Sequence, residues 1–158
     1  METVSPKVLI SYSWDSPKLK AWVAKLATDL RQNGIDVILD QWDLKKGDSM
    51  SYFMEQSVTI SDRVLCILTP EYKRKCDNRS GGSGYESAII TSEILCNVTT
   101  SKFIPVLKSG SFYESSPIFL NGRFGIDMSK QKDYDVKLNE LIGEILGISQ
   151  KPDLKPKP

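Results

Sequence analysis

An open parallel α/β sheet is the fold class this sequence predicts, and three observations carry it. The short, nearly continuous apolar runs Val8 to Ile10, Ile35 to Leu39 and Val64 to Leu68 are the pattern of strands buried on both faces. Between the first two runs, apolar residues recur at helical spacing, so strand, helix and strand form a βαβ unit with a parallel pair. The same alternation continues toward the carboxyl end, which argues for a sheet covered by helices on both sides.

Lys7 to Ser13 reads as the first strand, ended by the polar run Ser13-Trp14-Asp15-Ser16-Pro17. Ser16 suits the N-cap and Pro17 the first position of a helix whose Leu19, Trp22, Val23, Leu26, Ala27 and Leu30 share a face. Asn33-Gly34 stops it. Ile35 to Leu39 is the second strand, followed by a polar loop from Gln41 to Asp48. A helix over Ser49 to Ile60 turns Phe53, Met54, Val58 and Ile60 inward. Arg63 to Thr69 is the third strand, Pro70 to Gly84 a long loop, and Tyr85 to Val98 a helix. Lys102 to Lys108 supplies the fourth strand and Ile118 to Leu120 a short edge strand. Asp133 to Leu146 closes the domain as a helix striped by Leu138, Leu141, Ile142 and Ile145. One domain is therefore expected over residues 7–148. The remainder, 149–158, has Pro152, Pro156 and Pro158 among lysines and reads as an extended tail.

Composition narrows the function classes. The 158 residues are 40 % hydrophobic and 26 % charged, ordinary for one globular domain. Lys plus Arg total 21 against 20 for Asp plus Glu, so no overall field selects nucleic acid or anionic lipid. The apolar runs fall far short of the roughly 20 residues a membrane helix needs. Met1 to Lys7 lacks the basic and apolar regions of a secretory signal. Cys66, Cys76 and Cys96 are odd in number and widely spaced, which fits reduced thiols in a cytoplasmic setting. Sequons at Asn78 and Asn97 are short patterns that arise by chance. With no histidine, a Ser-His-Asp triad and the usual zinc sites are excluded, and no metal or cofactor is expected. No phosphate-cradling glycine motif follows a strand. Gly81 to Gly84 precedes a helix and reads either as an anion-binding turn or as a hinge. A phosphoacceptor aspartate is missing at the end of strand three, where Leu68-Thr69-Pro70 stand.

Open parallel sheets gather their sites at the carboxyl ends of the strands, here Ser11 to Asp15, Asp40 to Asp48 and Thr69 to Glu86. The residues there carry a resemblance. Val8-Leu9-Ile10-Ser11-Tyr12-Ser13 with Asp15, the run Gly34 to Leu44 containing Asp40-Gln41-Trp42-Asp43, Gly47-Asp48, and Gly84-Tyr85-Glu86 before Ile89-Ile90-Thr91 resemble a SEFIR domain, a relative of TIR domains. The likeness spans about residues 7 to 146. The βαβ pattern predicts five parallel strands in order 2-1-3-4-5, and the resemblance implies the flavodoxin-like version of that sheet. It further implies cytoplasmic signalling by homotypic association with other SEFIR or TIR domains. A bacterial source is expected too, on the view that the chain begins directly with the domain.

Some TIR domains cleave NAD⁺ with a glutamate on the helix after strand three, so the resemblance also implies an alternative activity with NAD⁺ as substrate. A carboxylate beside the ribose steadies an oxocarbenium-like transition state. Glu86 or, in another alignment, Glu93 supplies it, while Ser11, Tyr12, Asp15 and Trp42 line the cleft. The plainer role for Glu86 is to stabilise the positive end of its helix. Trp42 suits stacking on a nucleotide ring, anchoring a protein interface, or covering the local core. Asp40, Asp43 and Asp48 with Lys45 and Lys46 give its loop both charge signs, which suits weak pairing with another copy, though a solvated loop has the same composition.

Overall fold

The computed structural model describes residues 4–77 and 102–157. The expected helix Tyr85 to Val98, with Glu86 and Glu93, lies outside them, as do Gly81 to Gly84, Cys96 and both sequons. Five parallel strands form one sheet in the order β2-β1-β3-β4-β5. They are β1 (Lys7–Ser11), β2 (Asp36–Ile38), β3 (Arg63–Leu68), β4 (Phe103–Leu107) and β5 (Ile126–Asp127). Register runs Val8 against Val37 and Arg63, Val64 against Phe103, and Val106 against Ile126. The central strands are apolar without alternation because both faces are covered: every residue from Val64 to Leu68 is buried.

Helix α1 (Pro17–Arg31) begins where its sequence asks it to. The Ser16 hydroxyl accepts the Leu19 amide at 3.1 Å, and Pro17 takes the first position, where a missing N–H costs nothing. Its buried stripe is Leu19, Val23, Leu26, Ala27 and Leu30, and Gly34 turns the chain at φ 86°. The chain steps outward from β1 to β2 and then back across β1 to β3, so right-handed crossovers put α1 and the next long helix, α3 (Met50–Ile60), on opposite faces. A short helix, α5 (Phe112–Ser115), follows β4, and the carboxyl-terminal helix, α6 (Tyr134–Leu146), shares the face of α1: the Tyr134 ring meets Trp22 edge-on at 6.3 Å and its hydroxyl donates to Asp29 at 2.7 Å.

Several sequence expectations need correction. Ile118 to Leu120 is a 3₁₀ turn, not a strand, closed by the amides of Leu120 and Asn121 on Pro117 and Ile118. The edge strand is Ile126–Asp127, too short to leave a pattern. The loop expected over Pro70 to Gly84 opens with a helix, α4 (Pro70–Asp77), capped by Thr69, whose hydroxyl accepts the Tyr72 amide at 3.0 Å. Only Tyr72 and Cys76 are buried there, so the apolar signal was two residues wide. The loop after β2 likewise opens with a single helical turn, α2 (Asp40–Asp43). In α3, Met54 and Val58 face inward, but Ile60 is 55 % exposed. Two positions beyond Val58 is about 200° around a helix, the wrong side for the core. Residues 149–157 form no regular element and are exposed.

Candidate functional site

The carboxyl ends of β1, β2 and β3 bring Ser11 to Asp15, the α2 turn and Thr69 together. Two polar clusters result. In the first, the Asp15 carboxylate accepts the Ser13 hydroxyl on one oxygen and the Thr69 hydroxyl, at 2.8 Å, on the other. Ser13 and Thr69 are buried while Asp15 is exposed, so one carboxylate at the surface fastens the ends of β1 and β3. Thr69 serves this cluster and the α4 cap at once. Beneath it, the Ser11 and Tyr72 hydroxyls lie 2.9 Å apart, both residues fully buried.

The second cluster joins β1 to α2. Tyr12 is 0 % exposed, and its hydroxyl accepts the Gln41 side-chain amide at 2.9 Å. The Trp14 indole N–H donates to Asp40 at 2.9 Å, and the Lys20 ammonium sits 4.5 Å over the Trp14 ring. Asp40 is only 5 % exposed. Burial pushes its carboxyl above the usual carboxylate range, against hydrogen bonds from Tyr12, Trp14 and the Gln41 backbone and against the charge of Lys20. Burial, then the charge of Asp40, likewise raises the Tyr12 phenol.

Of the residues expected at the site, Ser11, Tyr12 and Asp15 do converge here. Ser11 and Tyr12, however, offer no exposed side chain; they tie the layers together. Trp42 is placed elsewhere, 43 % exposed beside Thr28, Arg31 and Gln32 on the flank of α1. Asp43 turns one oxygen back to accept the Leu39 amide at 2.9 Å, and Asp48 accepts the Lys45 amide at 2.8 Å, so both acids also shape the loop. Lys45 and Lys46 are exposed, and Gly47 lets the chain turn at φ 95°. Asp40 is the one charged residue of this loop that the structure withdraws from solvent. Sequence reasoning passed over Thr69 and Gln41. For Thr69 the signal was present, since Thr-Pro is an N-cap followed by a first helical position.

Chemically, these clusters are frames and not exposed nucleophiles. Burial pushes the Cys66 thiol up to about 12, so it is not a thiolate at neutral pH. No group of three metal-ligating side chains occurs among the described residues.

Comparison with known proteins places the fold in a family. The TIR domain model matches residues 8–142. A prokaryotic SEFIR domain of known crystal structure is 40 % identical, with a TM-score of 0.79 over 89 % of this chain and 99 % of that one. The TIR domain of the Toll-related receptor TRR-2 from Hydra magnipapillata is 19 % identical, with a TM-score of 0.63 over 88 % and 97 %. The SEFIR domain of IL-17 receptor B is 18 % identical, with a TM-score of 0.53 over 91 % and 99 %; these last two show the fold alone. Among curated proteins, none matches the chain. The chain belongs to the TIR domain family and, within it, to the SEFIR type.

Proposed function

We propose that this chain is a cytoplasmic signalling module that works by weak homotypic association with other SEFIR or TIR domains, and that the Trp42 turn is its contact. The observation that carries this reading is an exposed indole held on a built turn. Asp43 caps the turn, Asp40 anchors it from below through Trp14, and Lys45, Lys46 and Asp48 rim it with both charge signs. A large aromatic on a rigid support with a polar rim is the composition of an interface core. Family membership supports the same reading. The odd number and wide spacing of Cys66, Cys76 and Cys96 suit the cytoplasm, and finding the chain secreted from its cell would overturn that assignment.

The test is self-association of Trp42→Ala, alone and with Lys46→Glu, followed by light scattering. Both positions are exposed, so the fold should survive. Asp43 is avoided because its carboxylate also holds the Leu39 amide. The expected result is association weakened roughly tenfold or more. Association equal to that of the parent would move the contact off this turn, and a parent that stays monomeric at high concentration would remove the reading.

The alternative, NAD⁺ hydrolysis, depends on Glu86 or Glu93, which lie outside the described residues. No feature of the Ser11 to Asp15 cluster favours it, since Ser11 and Tyr12 are buried and already hydrogen-bonded. Nicotinamide release by concentrated protein, lost in Glu86→Gln, would establish it nonetheless.

A further inference from the structure

A concavity of ≈ 550 Å³ lies between the sheet edge and α6, where the chain enters β5. Clefts that take a small organic molecule are typically ~300–1,000 Å³, so this one is of the right size. Its apolar lining includes three phenylalanine rings: Phe103 from β4, Phe112 from α5 and Phe124 at the lip. Gly125 lets the chain lie this close, since a Cβ there would stand 2.6 Å from the Pro105 carbonyl oxygen and 3.1 Å from the Phe112 ring. Phe124 is fully exposed, so the apolar area of its ring is left without a partner beside the hollow.

The polar groups around the cavity select the charge of its occupant. Every acid in the lining is already engaged: Glu144 by Arg63 at 3.3 Å, Glu140 by Lys137 at 3.9 Å, and Asp127 by the Ser129 amide and hydroxyl. Two sets of donors are left over. The Arg63 Nε is buried and finds no acceptor among the described residues, although a buried donor is ordinarily satisfied. Arg123, next to Phe124, is exposed and holds no ion pair among the described residues, and its guanidinium presents five N–H groups. The cavity therefore lacks an acceptor, and a carboxylate, which a guanidinium takes in charge-assisted hydrogen bonds, supplies one. A multiply charged phosphate would also face Glu140 and Glu144, so a single carboxylate on an apolar body is the better match.

We propose that this cavity binds a small aromatic carboxylate, with its ring among Phe103, Phe112 and Phe124 and its carboxylate between the Arg63 Nε and Arg123. Aromatic rings pack well edge-on or offset against one another, which three phenylalanines around one hollow allow. The site goes beyond homotypic association and does not rest on it. Trp42 follows β2, at the opposite edge of the sheet from β5, so an occupied cavity leaves the Trp42 turn open.

The experiment titrates 3-phenylpropionate into the isotope-labelled full chain and follows the backbone amide shifts by NMR. Saturable shifts centred on Gly125 and Ile126 are expected, with the neutral 3-phenylpropanamide binding roughly tenfold more weakly because it lacks the charge. Arg123→Gln should weaken the acid about threefold or more and leave the amide unchanged, whereas Phe124→Ala should weaken both. Arg63→Lys keeps a cation for Glu144 but removes the Nε–H, and should weaken the acid by a similar factor. Arg123 and Phe124 are exposed, and unchanged thermal melts of their variants would show that the losses lie in binding and not in folding. An acid that gives no saturable shift, an acid and amide that bind alike, shifts that map away from β5, or an acid indifferent to Arg123→Gln would each overturn the inference.

Discussion

Asp40 shows how a single residue ties this surface to the core. Its carboxyl is raised by burial, so the native state holds its proton more tightly than the unfolded chain does. The stability this contributes is present below the ordinary value of 3.8 and is lost as pH rises through the folded value. Asp40→Asn keeps an acceptor for the Trp14 indole but cannot ionise. In urea melts its stability relative to the parent should therefore improve as pH rises from below 3.8 to neutrality. A difference that does not move with pH would show that Asp40 titrates as an ordinary carboxyl. Asp29, Asp36, Glu71 and Asp127 are lowered by their partners and act in the opposite sense, but they are common to both proteins and cancel in the difference. Asp40 was legible as a member of the loop after the second strand. Its burial was not, because that depends on Trp14 arriving from the loop after β1.

Among the elements, α4 and β5 are two that the sequence reading did not assign, and each has a distinct physical support. α4 starts on Thr69, which caps the helix and also donates to Asp15. Thr69→Val should cost about 1–2 kcal/mol by chemical denaturation, and Thr69→Ser much less, since the hydroxyl does both tasks. Equal losses in the two variants would point to packing instead of the cap. β5 reaches β4 only because Gly125 has no side chain to strike Pro105. Gly125→Ala forces a carbonyl or the strand to shift, at about 1–3 kcal/mol. A melt unchanged by that substitution would mean that β5 is free to move away from the sheet.

For the whole molecule, the boundary after α6 is a prediction of its own. Gly147 ends the helix at φ 73°, with its amide on Glu144 and that of Ile148 on Gly143. Beyond it, residues 151–157 are exposed and irregular. Removing residues 151–158 should shift unfolding free energy by no more than about 0.5 kcal/mol. A larger loss would show that the tail packs on the domain. Association has a whole-molecule signature too. With a formal charge of +1 and contacts that mix both signs, it should weaken only modestly between low and moderate salt, within about threefold. A loss of tenfold or more would mean that one copy presents a single-signed face to the next.

By itself, the sequence determined the sheet, its order and the helices with broad apolar stripes. Runs such as Val64 to Leu68 and spacings such as Leu19, Val23, Leu26 and Leu30 carry enough burial free energy to dictate their own environment. It also marked Ser11 to Asp15 and the Trp42 loop as neighbours, since parallel topology collects strand ends on one edge. Tertiary structure alone decided which of them face solvent. Tyr12, Ser11 and Asp40 went inward because polar partners were waiting for them, in Gln41, Tyr72 and Trp14. Trp42 and Phe124 stayed outside, 43 % and 100 % exposed. That outcome depends on long-range packing, which no local run of residues encodes.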